Sequence, residues 1–204
     1  MIRSIRLALL SLAALALVNE SAHAQRRGIV DVSPSHFRRG FWLEGGLGWG
    51  YESYKFGSDD FTESLDKPTV ALRLGGTVNP NLRLGAEVAA WWYEYNDVDG
   101  FDVTESLTEV MAVARFYPAR NAGLFLKGGV GLGVTAVDGE FVDGTSETGF
   151  ATVLGAGYEI RVSRSLFITP SVDWYMNRFS QRDDDTLYER LVNIGLSVTW
   201  QPGR

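Results

Sequence analysis

Leu124-Phe125-Leu126-Lys127-Gly128-Gly129-Val130-Gly131-Leu132-Gly133-Val134-Thr135 alternates without a break. Leu124, Leu126, Gly128, Val130, Leu132 and Val134 fall on one face, and Phe125, Lys127, Gly129, Gly131, Gly133 and Thr135 on the other. A period of two marks a β-strand whose faces meet different media. Here one face is uncharged, while the other carries a lysine among glycines.

The same period recurs on both sides of this stretch. It predicts eight strands, at about 41–56, 68–78, 82–95, 105–117, 123–137, 148–162, 166–179 and 189–200. Each reaches the ~9–11 residues that a tilted membrane strand needs. Pro170 is the local exception; it has no N–H to give a ladder, so a bulge is expected there.

Charge then separates the two faces. Glu44, Arg73, Arg83, Glu87, Glu109, Arg115, Lys127, Glu159, Arg161 and Asp173 share one face of their strands with most of the glycines. The other face is charged only at Lys55, Glu94, Arg178 and Arg190, all near the long-loop ends. A soluble eight-stranded barrel would turn the uncharged face inward. Such a cylinder only just accommodates its side chains, and this face is too rich in Leu, Val, Trp and Phe to fit. Aromatics on the uncharged face gather at two levels. Phe41, Phe116, Tyr158 and Trp200 lie near one rim, with Trp49, Tyr51, Trp92, Phe150 and Trp174 towards the other, the pattern of interfacial girdles. The expected fold is all-β: an eight-stranded antiparallel up-and-down transmembrane β-barrel over residues 41–200.

The ends are consistent with export. Arg3 and Arg6 precede an apolar run from Leu7 to Val18, and Ala22-His23-Ala24 is a small-x-small cleavage site. Residues 1–24 therefore read as a signal peptide, and the apolar run is too short for a spanning helix. Residues 25–40 are expected to form a periplasmic N-terminal segment, either a strap or a loose tether, and 201–204 a C-terminal tail. Arg26, Arg27, Arg38 and Arg39 would then lie on the periplasmic side, where the cluster could touch anionic headgroups. The sequence has no cysteine, and its formal charge of −6 argues against a nucleic-acid partner.

Connections after the second, fourth and sixth strands are short. The other four are long and acidic: Ser58-Asp59-Asp60, Asn96 to Gly100, Asp138 to Glu147, and Arg182-Asp183-Asp184-Asp185. Short turns face the periplasm and long loops the exterior in this architecture.

Three stretches carry a family resemblance: Gly45-Gly46-Leu47-Gly48-Trp49-Gly50-Tyr51, Leu126 to Gly133, and the closing run Val192 to Trp200. Over residues 41–200 the chain resembles the small outer-membrane barrels of the OmpA transmembrane-domain, OmpX, OmpW and porin-family type. The resemblance implies a barrel-assembly machinery that reads a terminal aromatic residue. Trp200 is similar to that signal, although Gln201 to Arg204 follow it.

The candidate site is a lumen polar network of Glu44, Arg73, Glu87, Glu109, Arg115, Lys127, Glu159, Arg161 and Asp173. Arg73 and Glu87 are equidistant from Pro80, so hairpin register should set them opposite one another. Glu44, Arg115, Lys127, Glu159 and Arg161 are expected in the periplasmic half. Two readings stand: a salt-bridged plug, or a gate on a polar solute path.

The acidic loops could bridge divalent cations to lipopolysaccharide phosphates, but Asp97 to Asp102 lacks the spacing of a calcium loop, so no metal site is assigned. A serine-based lipid enzyme needs a histidine base, and His36 is the one histidine after the cleavage site, on the periplasmic side. No catalytic residue and no cofactor are expected. The expected partners are outer-membrane lipid and lipopolysaccharide, plus the assembly machinery during biogenesis, with the protein a monomer. The leading function is a non-catalytic outer-membrane protein serving envelope integrity or surface interaction; the alternative is a narrow channel for small solutes.

Overall fold

The computed structural model describes residues 38–96, 102–139, 145–180 and 186–202. The signal segment, most of residues 25–40 including His36, and most of the acidic loops (97–101, 140–144, 181–185) lie outside the described residues. Of the acidic residues in these stretches, Asp59 and Asp60 are described and exposed, and Glu147 is described and half-buried.

Nine strand segments follow one another: β1 (Phe41–Phe56), β2 (Leu65–Asn79), β3 (Leu82–Asn96), β4 (Asp102–Phe116), β5 (Leu124–Gly139), β6 (Thr145–Tyr158), β7 (Ile160–Arg161), β8 (Leu166–Ser180) and β9 (Thr186–Trp200). Consecutive segments from β1 to β6 pair antiparallel, as do β8 and β9; β1 pairs with β9, and β6 and β7 both pair with β8. The sheet therefore closes on itself and has no free edge. β6 and β7 are one spanning strand interrupted at Glu159, which makes eight strands around the barrel.

No bulge forms at Pro170. Gly157 pairs with Ser171 and Ile160 with Ile168, so the register is the same on both sides of the break, and Pro170 keeps its place opposite Leu196 of β9. The missing N–H interrupts the ladder towards β6 and β7 without adding a residue. Several strands also extend beyond their expected ends on the long-loop side: β2 begins at Leu65, β4 at Asp102 and β9 at Thr186. Above the membrane both faces of a strand are wet, so alternation fades in the sequence while backbone pairing continues.

The faces are inverted relative to a soluble barrel. Leu132, Leu196 and Val198 are 58%, 56% and 43% exposed on the outer wall, whereas Lys127 is 4% exposed in the lumen. The lumen is less uniformly polar than expected. Towards the long-loop end Trp91, Leu107, Met111, Phe179, Leu187 and Leu191 pack as a buried apolar cluster. Inner-face glycine makes room where the wall itself is close. A Cβ added at Gly131 would come within 2.0 Å of the Val110 carbonyl oxygen and 2.6 Å of the Met111 Cα.

Candidate functional site in the barrel lumen

Arg73 projects inward from β2 at mid-barrel and binds groups from four other strands. Its Nε donates to Glu87 Oε2 (2.7 Å), Nη1 to Glu44 Oε1 (2.8 Å) and Ser197 Oγ (3.2 Å), and Nη2 to Asp173 Oδ2 (3.2 Å). Both Arg115 Nη atoms donate to Glu44 at 2.7 Å, a bidentate fork. Lys127 Nζ pairs with Glu87 Oε2 and Asp173 Oδ1, each at 2.9 Å. Hydroxyls fill remaining acceptor positions: Tyr175 donates to Glu87 (2.6 Å) and Thr199 to Glu44 (2.7 Å). Three carboxylates thus face three cations, all buried. Charges removed from water are tolerated only when paired and hydrogen-bonded, and deleting one partner of such a pair costs about 3–5 kcal/mol.

A second cluster closes the periplasmic mouth. Arg83 Nη1 donates to Glu159 Oε1 (2.6 Å) and Tyr117 Oη (3.2 Å), and Nη2 donates to Gln201 Oε1 (2.5 Å). Tyr117 donates to Glu159 Oε1 at 2.7 Å. Burial, then the neighbouring Glu159 carboxylate, hold this phenol well above its ordinary value.

Arg38 also enters this mouth. Its guanidinium lies 3.7 Å from the Tyr117 ring centroid, pairs with Glu159 Oε2 at 3.3 Å, and donates to the carbonyls of Arg120 and Ala122. Arg38 is therefore a buried closing residue, rather than part of a loose tether or a headgroup contact. Gln201 meets it from the other terminus by donating to the Arg39 carbonyl at 2.5 Å.

Towards the long loops, Lys67 pairs with Glu52 and with Glu105 (3.8 Å), and its Nζ lies 3.5 Å from the Trp91 ring centroid. Glu109 is buried there too and accepts from Asn177 Nδ2 at 2.7 Å. The small cavities beside Thr69 and Asn193 are each of about 10 Å³, room for a single water at most.

Of the nine residues singled out in the sequence, the structure joins Glu44, Arg73, Glu87, Arg115, Lys127 and Asp173 in one network. Glu159 belongs to the mouth cluster, and Glu109 lies apart with Asn177. Arg161 is not in the lumen network. It is half-buried at the last residue of β7, and its Nε donates across the tight turn to the Ser163 carbonyl at 3.0 Å. Arg38, Glu52, Lys67, Tyr117, Tyr175 and Gln201 are the additions. Tyr175 shares the parity of Asp173 on β8, and Glu52 that of Glu44 on β1, whereas no periodic signal marks Arg38 or Gln201. On the outer wall Phe41, Trp49, Tyr51, Phe116, Phe150, Tyr158, Trp174 and Trp200 are exposed, and Trp92 is half-buried.

A closed barrel with an apolar exterior and a charged interior has a match by sequence. Residues 8–200 fit the model of the outer membrane protein beta-barrel domain. The chain belongs to that family. It is a β-barrel protein of the bacterial outer membrane. No curated protein sequence matches this family member.

Several solved structures resemble this outer membrane protein. Neisserial surface protein A is 11% identical with a TM-score of 0.52, covering 79% of this chain and 97% of that one. Ail, the attachment invasion locus protein of Yersinia pestis, is 16% identical with a TM-score of 0.47, covering 78% and 99%. OprG from Pseudomonas aeruginosa is 11% identical with a TM-score of 0.48, covering 81% and 98%. Identities this low bear on the fold alone.

Proposed function

We propose that this protein is a non-catalytic, monomeric outer-membrane barrel with a filled lumen, serving envelope integrity or interaction at the cell surface. The observation that carries the reading is the Arg73 network, in which one guanidinium ties β2 to β1, β3, β8 and β9 across the bore. A solute would have to break several buried charge-assisted bonds to pass, and the residual cavities beside the network hold no more than a water each. Closure of the sheet supports a monomer, because no strand edge is left to pair with a second copy. The non-catalytic reading is supported by the histidine content: residues 38–204 contain none, and a serine nucleophile needs such a base beside it.

Outer-leaflet lipid, including lipopolysaccharide, is the proposed partner of the apolar wall and its aromatic girdles. The decisive experiment is a planar-bilayer recording on the refolded protein. A filled lumen gives no stable conductance steps; reproducible steps whose ion selectivity changes in Arg73→Glu or Lys127→Glu would establish the narrow channel instead.

A further inference from the structure

Among the described side chains the outer wall is charged only near its long-loop end, at Lys55, Asp66, Glu94, Arg178 and Arg190, and its three cations sit together there. Lys55 of β1 and Arg178 of β8 both pair with Tyr188 of β9, which lies between them, and Arg190 is two residues along β9. Parity points all of them outward, on the face that carries Tyr51, Val192 and Trp174. Among the described residues no carboxylate forms an ion pair with any of the three; aromatic rings approach them instead. Lys55 and Arg178 approach the Tyr188 ring centroid at 5.5 and 5.8 Å, and Arg190 lies 3.8 Å from that of Phe61, which Lys55 also approaches at 5.3 Å. A cation held on a ring face keeps its N–H donors free for an anion, and its charge is not neutralised.

Height fixes what the cations meet. Tyr51, Val192 and Trp174 form one cross-strand row at the girdle. Lys55 and Arg178 lie four positions beyond it, about 13 Å along a strand and about 10 Å along the membrane normal at a tilt of about 40°. Arg190 lies two positions beyond, about 5 Å up. A headgroup layer is about 5–7 Å deep on each side of the hydrocarbon. The three cations therefore stand within and just above that layer and face sideways into it. Lys55 and Arg178 are two strand spacings apart, about 10 Å.

We propose that Lys55, Arg178 and Arg190 form a binding site for the phosphorylated headgroup of a lipopolysaccharide molecule seated against the β1–β9–β8 wall. The inference deepens the lipid partnership proposed above and rests on the outward polarity of that wall. It does not depend on whether the lumen conducts. The acyl chains would lie on the apolar wall below, beside Trp174 and Val192, while the phosphates accept from the three cations. Arginine is suited to the task because its planar fork binds phosphate through two parallel N–H groups.

The test uses the full chain folded in phosphatidylcholine vesicles that contain a small fraction of dansyl-labelled lipopolysaccharide. Energy transfer from the barrel tryptophans measures how far that lipid is enriched around the protein. Each cation near an anionic surface contributes roughly fivefold in affinity. The Lys55→Gln/Arg178→Gln/Arg190→Gln variant is expected to lose enrichment by one to two orders of magnitude. Dephosphorylated lipopolysaccharide should behave with the wild-type protein as the intact lipid does with the variant. Equal enrichment by variant and wild type, or by intact and dephosphorylated lipid, would overturn the proposal. So would complete displacement by millimolar inorganic phosphate, which would make the site one for a free anion. If the triple variant does not fold, the dephosphorylated-lipid arm on the wild type decides the question. Closed single-channel traces from the same preparation would keep the lumen reading intact whichever way this result falls.

Discussion

Arg73 and Glu87 face one another across the β2–β3 hairpin, equidistant from Pro80, and Arg73 Nε meets Glu87 Oε2 at 2.7 Å inside the barrel. The pair anchors the balanced network, so deleting one charge strands the rest. Arg73→Met is expected to destabilise the folded barrel by about 3–5 kcal/mol. Arg73→Met/Glu87→Met should cost less than the sum of the two single replacements by at least about 1 kcal/mol. Reversible urea unfolding in lipid vesicles reads both values. Strict additivity would mean that the two residues do not act as a pair.

Two glycines on one strand make opposite predictions. Gly131 faces inward, where a methyl group would collide with the β4 backbone. Gly128 faces outward, and the nearest neighbouring atom to an added Cβ there is Leu154 Cδ2 at 3.9 Å. Gly131→Ala is expected to cost about 1–3 kcal/mol through overpacking. Gly128→Ala should be neutral or slightly stabilising, since it fills ordinary contact distance on the lipid face. The same urea titration compares them, and equal effects would mean that the inner and outer faces of β5 have been exchanged.

The mouth cluster predicts an alkaline transition. The Tyr117 phenol is held above its ordinary value by burial and by Glu159. A group raised in the folded state contributes stability that is whole below its unfolded value, near pH 10 for tyrosine, and is lost as pH climbs above it. Barrel stability should therefore fall from about pH 10 upward, and Tyr117→Phe should flatten that fall at a constant cost in hydrogen bonding at neutral pH. Unfolding measured at pH 8, 10 and 11 tests this. A wild-type slope that Tyr117→Phe leaves unchanged would assign the transition to another group.

Arg38 supplies a fourth test. It reaches Tyr117, Glu159 and two turn carbonyls, so Arg38→Ala should destabilise the barrel measurably. It should also raise protease cleavage of the segment that precedes it. Unaltered stability together with unaltered cleavage would remove its closing role.

Much of this architecture was legible because a membrane barrel writes its two environments into alternate residues. Lys127 and Leu132 show it: opposite parity, opposite faces, the lysine buried and the leucine exposed. Short hairpins extend that legibility to pairing, as at Arg73 and Glu87, because a tight turn fixes register. Contacts between strands that are not neighbours were not legible. Arg73 meets Asp173 from β8, and Arg115 meets Glu44 from β1; both depend on the tilt and shear of the closed cylinder, which no single strand encodes. Lys67 precedes Pro68, a residue that reads as a strand boundary, yet β2 begins at Leu65 and places Lys67 inside. Arg38 sits in a segment without period, where only the folded mouth explains its burial. Pro170 was misread because a missing donor predicts a break in the ladder but not its form.

Which side of the wall each residue occupies decides both the fold and the lumen network, and the tryptophans report it directly. Trp42 and Trp91 are buried in the lumen at 0% and 3% exposure, whereas Trp174 and Trp200 stand on the outer wall at 43% and 41%. Variants that retain one tryptophan each, folded into vesicles of brominated lipid, give the measurement. Strong quenching of Trp174 and Trp200, with little of Trp42 and Trp91, is the predicted result. Quenching of Trp42 and Trp91 as strong as that of the outer pair would contradict the inverted barrel and everything built on it.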